Sequence, residues 1–138
     1  MITVSQDDFF VDEELRKLRT PSVGGLVIFI GTVREEADGK EVRQMEIEVY
    51  PDMAMKQLED IRNEAIKKFG VEDIRIIHRY GKLCVGDNIV LIAVASAHRA
   101  EAFNSCRYVI DELKKRVPIW KKEYTPDGAR WVEVGRPE

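Results

Sequence analysis

Apolar residues in this chain fall into short blocks of two periods, and each period predicts a kind of element. The run Leu26-Val27-Ile28-Phe29-Ile30 within Val23 to Arg34 is short and rich in β-branched residues, which predicts a buried strand interrupted near its end by Gly31. Asp38-Gly39 is a turn signal. Beyond it Met45, Ile47 and Val49 alternate with Gln44, Glu46 and Glu48, the period of a half-buried strand, so the two strands are expected to form a long hairpin. Upstream, residues 12–19 place acids before bases, as the dipole of a short helix favours, and Thr20-Pro21 ends it.

Downstream, Pro51-Asp52 opens a helix whose apolar positions Met55, Leu58, Ile61, Ala65 and Phe69 recur every three or four residues, with Gly70 as its stop. A strand is expected at about 72–80. Gly81-Lys82 and Gly86-Asp87 bracket a short extended piece, and Asn88 to Ala95 reads as a second buried strand. From His98 to Val117 the residues Phe103, Cys106, Ile110, Leu113 and Val117 form an apolar stripe along one helix face. Pro118 ends that helix, because proline disfavours a helical residue before it and brings no backbone donor. Ile119 to Tyr124 and Arg130 to Val134 are then strands around a Pro126-Asp127-Gly128 turn.

Hairpins and mixed connections in this order favour an α+β fold: a mixed or antiparallel sheet with packed helices, in a single compact domain spanning 1–138 with a small additional β subdomain. The length of 138 residues suits one domain and is short for two.

Composition narrows the function classes. At 44% hydrophobic and 34% charged residues, with a formal net charge of -3, the chain reads as a folded cytoplasmic protein whose bulk charge repels nucleic acid and anionic membranes. No apolar run approaches a membrane span, and the first residues lack the basic start and apolar stretch of a signal peptide. Cys84 and Cys106 lack CxxC spacing and read as small buried hydrophobes; with only His78 and His98 besides, no histidine metal centre is expected. His78, alternating with Ile74 and Ile76, reads as structural.

An anion site in such a chain has to be local. Between Arg107 and Lys122 six bases (Arg107, Lys114, Lys115, Arg116, Lys121, Lys122) face two acids (Asp111, Glu112), a net of +4. Lysines at a helix end also serve simply to offset the macrodipole, so charge counting alone leaves a solvated helix end open. Geometry singles out two of them. Lys114 borders the apolar stripe beside Leu113 and Ile110, so its stem packs. After Pro118, alternation puts Lys121 and Glu123 on one face with Ile119, and Trp120 and Lys122 on the other. If Lys114 and Lys121 converge, each opposes protonation of the other, which suits one of them to move a proton. Ser96-Ala97-His98-Arg99 leads into a helix N-terminus, where free N–H groups favour an anion; a surface cap and a solvated charge are the alternative there. Gly31-Thr32-Val33-Arg34 ends a strand where a glycine marks a bulge or a close approach, and where an arginine can fork a phosphate.

These motifs resemble a known family. Ser96-Ala97-His98-Arg99-Ala100-Glu101-Ala102-Phe103, followed by Asp111-Glu112-Leu113-Lys114 and Val117-Pro118-Ile119-Trp120-Lys121-Lys122-Glu123, is similar to the large, catalytic subunit of molybdopterin synthase. So are Phe29-Ile30-Gly31-Thr32-Val33-Arg34, Thr125-Pro126-Asp127-Gly128 and Arg130-Trp131-Val132-Glu133, and the likeness runs from about Gly24 to Glu133. The resemblance implies an α/β-hammerhead-like fold and a sulfurtransferase that builds the dithiolene of molybdopterin on cyclic pyranopterin monophosphate. It implies a donor, the C-terminal Gly-Gly thiocarboxylate of a small ubiquitin-like partner, and a homodimer at the centre of a heterotetramer. No metal or redox cofactor is implied.

By the same resemblance Lys114 sits at the partner's C-terminus and assists sulfur transfer, and Lys121 is a second catalytic lysine. Arg34, His98 and Arg99 hold the pterin and its phosphate, with Thr32, Val33, Lys122 and Glu123 completing the substrate contacts. Whether His98 and Arg99 serve the pocket of their own chain or of the other subunit stays open. The chain departs from the family pattern in carrying Ile110 where a methionine lines the pocket, and in a brief tail where Arg136 is the one basic candidate. Two rivals stand beside this reading. One is a non-catalytic module binding a ubiquitin-like tail or a phosphorylated ligand; the other is a phosphate-ester lyase with Lys114 and His98 as base and acid.

Overall fold

The computed structural model describes residues 1–132. In chain order the elements are β1 (Ile2–Ser5), α1 (Val11–Leu18), β2 (Gly25–Thr32), β3 (Glu36–Ala37), β4 (Lys40–Glu41), β5 (Gln44–Val49) and α2 (Pro51–Phe69). They continue with β6 (Asp73–Arg79), β7 (Gly81–Cys84), β8 (Asn88–Ser96), α3 (Arg99–Arg116), β9 (Ile119–Thr125) and β10 (Gly128–Trp131). Two four-stranded sheets result. The first runs β1-β6-β8-β2, parallel only between β1 and β6; the second runs β10-β9-β5-β7 and is antiparallel throughout. The fold is α+β.

The apolar run of β8 is continuous because both faces of the first sheet are covered. On one face Ile74, Ile76, Val90, Ile92 and Val94 pack with Leu58, Ile61 and Ala65 of α2 and with Ala102, Cys106, Val109 and Leu113 of α3. The same core extends to Met45, Ile47 and Leu83 of the second sheet and so joins the two sheets. On the other face Ile77, Leu91, Ala93 and Ala95 meet Phe9, Leu15 and Leu18 at α1. Each fully buried Leu or Ile contributes about 1.5–3 kcal/mol relative to exposure, so the shared core is what fixes the sheets against each other. Pro51 starts α2 and Gly70, at φ 68, caps its end in the left-handed conformation.

Three expectations are corrected. The long hairpin does not form: β2 pairs with β8, and β5 lies between β7 and β9 in the other sheet. An unbroken apolar run needs cover on both faces and an alternating one needs it on a single face, so the two strands suit different sheets. The Asp38-Gly39 turn, with positive φ at both residues, joins only the two-residue strands β3 and β4. The buried face of α3 is also broader than the expected stripe and shifted at its start. Cys106, Leu113 and Val117 are buried as expected and Ile110 packs against the core, but Phe103 is 61% exposed and Ala102, Ser105 and Val109 turn inward instead. Steps of three and four fit both sets, and the small Ala102 and Ser105 let the helix approach β8. Finally β1, with only Ile2 and Val4 apolar, is too short for its period to announce a strand. The expected strand at Arg130 to Val134 begins earlier, at Gly128, and its last two residues, Glu133 and Val134, lie outside the described residues.

Candidate active site

Pro118 brings the cleft into being. It ends α3, Val117 closes the last turn through its N–H to the Leu113 carbonyl at 3.0 Å, and the chain turns at once into β9. The last turn of α3 and the first residues of β9 therefore face each other across a cleft of about 660 Å³. The end of β2 closes a third side with Phe29, Gly31 and Thr32, followed by Arg34, and His78 and Val90 lie at the floor. A register shift between Gly31 and Thr32 puts the expected bulge at the rim.

The cleft brings together Thr32, Arg34, Lys114, Lys121 and Glu123, each singled out in the sequence, and Ile110 contributes to its apolar wall. Lys115 and Arg116 also reach it, but Lys115 pairs with Glu112 at 3.6 Å, and Arg116 with Glu64 at 2.7 Å and Glu112 at 3.4 Å. The hydrogen bond to Glu64 pushes the Arg116 guanidinium further up, and its partner Glu64 is held below the usual carboxylate range. Glu123 is 1% exposed, a carboxylate set among cations. Arg130 from β10 holds it at 3.3 Å and donates from the same nitrogen to the Ala37 carbonyl at 2.7 Å, tying the β3–β4 hairpin to the cleft wall. Sequence reasoning gave Arg130 no role. Its signal was the fixed offset across the turn, which pairs it with Glu123 in the ladder.

Other singled-out residues are elsewhere. Val33 is buried in the core, its N–H bonded to the Asp87 carbonyl and its carbonyl to the Gly86 N–H. Lys122 is on the outer face of β9 with its ammonium 5.6 Å from the ring centres of both Tyr124 and Trp131. His98 is the exposed N-cap of α3, and Arg99 is exposed beside it. Fifteen residues of helix separate Arg99 from Lys114, about 22 Å along the axis at 1.5 Å per residue. The chain's own His98 and Arg99 thus lie at the far end of α3. Arg136 lies outside the described residues.

The cysteines divide. Cys106 is buried and burial pushes its thiol up to about 11, as expected of a small core residue. Cys84 corrects the expectation: alternation along β7 turns Leu83 inward and leaves Cys84 exposed. Among the described residues no group of three or more His, Cys, Asp or Glu is placed to hold a metal ion, and no helix is long and apolar enough to cross a membrane.

The family model described as MoaE protein matches residues 4–116. The chain belongs to the MoaE family. As a MoaE chain it is 45% identical over 130 residues to the molybdopterin synthase catalytic subunit of Pyrococcus abyssi, covering 94% of this chain and 88% of that one. The crystal structure of molybdopterin synthase from Staphylococcus aureus superposes on it with a TM-score of 0.90 at 35% identity, over 95% of this chain and 96% of the other. A chain in the complex of subunits 1 and 2 of the molybdopterin-converting factor from Helicobacter pylori, 20% identical, shares the fold with a TM-score of 0.78 over 97% of this chain and 91% of that one. This MoaE chain is an enzyme subunit of molybdenum cofactor biosynthesis.

Proposed function

We propose that the chain, in the cytoplasm and as one catalytic domain over 1–138, transfers sulfur from the C-terminal thiocarboxylate of a small ubiquitin-like partner to cyclic pyranopterin monophosphate, forming the dithiolene of molybdopterin. The observation that carries this is the meeting of Arg34, Lys114, Lys121 and Glu123 in one cleft. Thiocarboxylate, phosphate and the oxyanion that develops during transfer are all negative, and fixed cations in a partly water-excluded cleft stabilise them. Lys114 meets the incoming tail and Lys121 is the second catalytic lysine. Arg34 and Thr32 hold the substrate, and Glu123 fixes the surrounding donors. Val33 fixes the Thr32 to Arg34 segment from the core, and Lys122 meets the substrate from the rim. In each transfer the thiocarboxylate sulfur bonds to a side-chain carbon of the pterin in place of a carbon–oxygen bond, the displaced oxygen leaves as water or stays on the phosphate, and water cleaves the acyl–sulfur bond so that a carboxylate remains on the tail. The partner is the nucleophile's source, which is why neither cysteine lies in the cleft. A chain of the same fold occurs in the complex of subunits 1 and 2 of the molybdopterin-converting factor from Helicobacter pylori, which supports a partner subunit here.

A homodimer completes the site. Strand β2 is one of the two edges of its sheet among the described residues, and it is apolar, with Ile30 36% exposed. An edge of that kind is a surface for another chain. With His98 and Arg99 about 22 Å from Lys114, these two residues serve the pterin phosphate in the cleft of the other copy. Purified chain mixed with the thiocarboxylated partner and cyclic pyranopterin monophosphate is expected to yield dithiolene, and the carboxylate form of the partner none. Absence of product from a verified thiocarboxylate donor contradicts the proposal.

A further inference from the structure

We propose that Arg130 is a positioning residue for the transfer chemistry: from the edge of the second sheet it holds the Glu123 carboxylate and the β3–β4 hairpin together and so sets two walls of the cleft. The inference rests on the sulfur-transfer reading of the cleft and adds a residue that does not itself line it. Leu83, Met45, Glu123 and Arg130 stand opposite one another across β7, β5, β9 and β10, so their side chains form one row on the same face. Leu83 and Met45 are buried and apolar. In that row Glu123 is 1% exposed, and the charge that meets it from the neighbouring strand is Arg130.

One nitrogen makes the bridge. Arg130 Nη2 donates to the Ala37 carbonyl at 2.7 Å, and lies 3.3 Å from Glu123 Oε1 and 3.8 Å from Asp38 Oδ2. Ala37 and Asp38 belong to the hairpin that begins directly after Arg34, and its base is closed by the Val42 N–H donating to the Glu35 carbonyl at 2.7 Å. Arg34 lines one wall of the cleft and Glu123 another. The guanidinium thus joins the segment that carries Arg34 to the strand that carries Lys121 and Glu123. Among the described residues its Nε is buried without a hydrogen-bond partner, so the side chain is oriented by what Nη2 reaches and not by satisfying every donor. The charge matters as well as the tie. A carboxylate buried in a cleft shared with Arg34, Lys114 and Lys121 competes with an anionic substrate for those cations, and a cation behind it at the sheet edge lessens that competition.

Two substitutions separate this role from a purely structural one. The acceptors on Ala37, Asp38 and Glu123 are all met from one nitrogen. A lysine, whose ammonium carries several N–H donors and the same charge, can therefore stand in for Arg130, whereas a methionine fills the space and carries neither. With thiocarboxylated partner and pterin both saturating, Arg130→Met is expected to slow single-turnover dithiolene formation about tenfold, with the Kd of the partner within about twofold of wild type. Arg130→Lys is expected to recover to within about threefold of the wild-type rate. A folded Arg130→Met with the wild-type rate overturns the proposal. So does an Arg130→Lys no faster than Arg130→Met, because the residue would then serve packing alone.

Should Arg130→Met not fold, NMR of the isotope-labelled wild-type chain decides. The Nε–H of Arg130 is shielded from solvent, and its signal is assigned through the carbons of its own side chain. With the unreactive carboxylate form of the partner present, adding cyclic pyranopterin monophosphate is expected to move that signal, since Arg130 touches both Glu123 and the hairpin after Arg34. A signal unmoved at saturating pterin overturns the proposal. An Arg130 signal that responds in a wild type making no dithiolene would instead overturn the sulfur-transfer reading and leave Arg130 coupled to a pterin site.

Discussion

Lys114 and Lys121 meet because a helical period and a strand period are read in sequence on either side of Pro118. Each period fixes which of several adjacent lysines turns inward, so both residues were legible without a structure. His78 was not, because a histidine alternating with isoleucines has the same pattern whether it fills a core or floors a cleft. The cysteines show the same limit: both looked apolar, and only the strand phase of β7 distinguishes Cys84 from Cys106. A maleimide at pH 7.5 should therefore label the folded chain once, at Cys84, and twice after unfolding. Two rapid equivalents in the folded state would contradict the burial that pushes Cys106 to about 11.

At the scale of elements, α1 is held to β6 by Glu14 and Arg75, which pair at 2.6 Å with both side chains 10% exposed. Burial by itself would raise the Glu14 carboxyl, but the hydrogen bond and charge of Arg75, assisted by Lys17, hold it below its ordinary value of 4.5. A carboxylate depressed in the folded state contributes stability that is fully present above its unfolded value and is lost as the pH falls through its folded one. Glu14→Gln should cost about 3 kcal/mol at pH 7, since it leaves Arg75 buried beside a neutral partner. The deficit relative to wild type should shrink below pH 4, and urea unfolding at pH 7 and pH 3 would measure both. A second junction is steric. A Cβ on Gly24 would lie 2.1 Å from the Ala97 carbonyl oxygen, where the start of β2 passes the link from β8 to α3, whereas Gly25 has nothing within 4 Å. Gly24→Ala should destabilise by about 2 kcal/mol and Gly25→Ala by less than about 0.5, as read from thermal unfolding. The elements themselves were largely legible, since every long apolar period became the helix or strand it predicted. Their partners were not. Strand pairing depends on which faces find cover, and the local turn at Asp38-Gly39 says nothing about that.

At the scale of the molecule, a chain of net charge -3 gathers Arg34, Lys114, Lys115, Arg116 and Lys121 around one cleft, and the other end of α3 carries His98 and Arg99. If that pair serves the other copy, Lys114→Ala and Arg99→Ala variants should complement each other. Mixed and allowed to exchange, about half the dimers carry one intact composite site of two, so activity should return to about one quarter of wild type. No recovery would place all the groups in one chain. The elements and the cleft at the end of α3 follow from the periods of the sequence, but a site assembled from two copies would leave no period to read. The central claim, that Lys114 acts at the point of sulfur transfer, is tested most directly by single-turnover formation of dithiolene with thiocarboxylated partner, for wild type and Lys114→Ala. The variant should fold, bind the partner and form product at least about 100-fold more slowly, as loss of a charge at a developing oxyanion requires. A folded, partner-binding Lys114→Ala that forms dithiolene at the wild-type rate would contradict it.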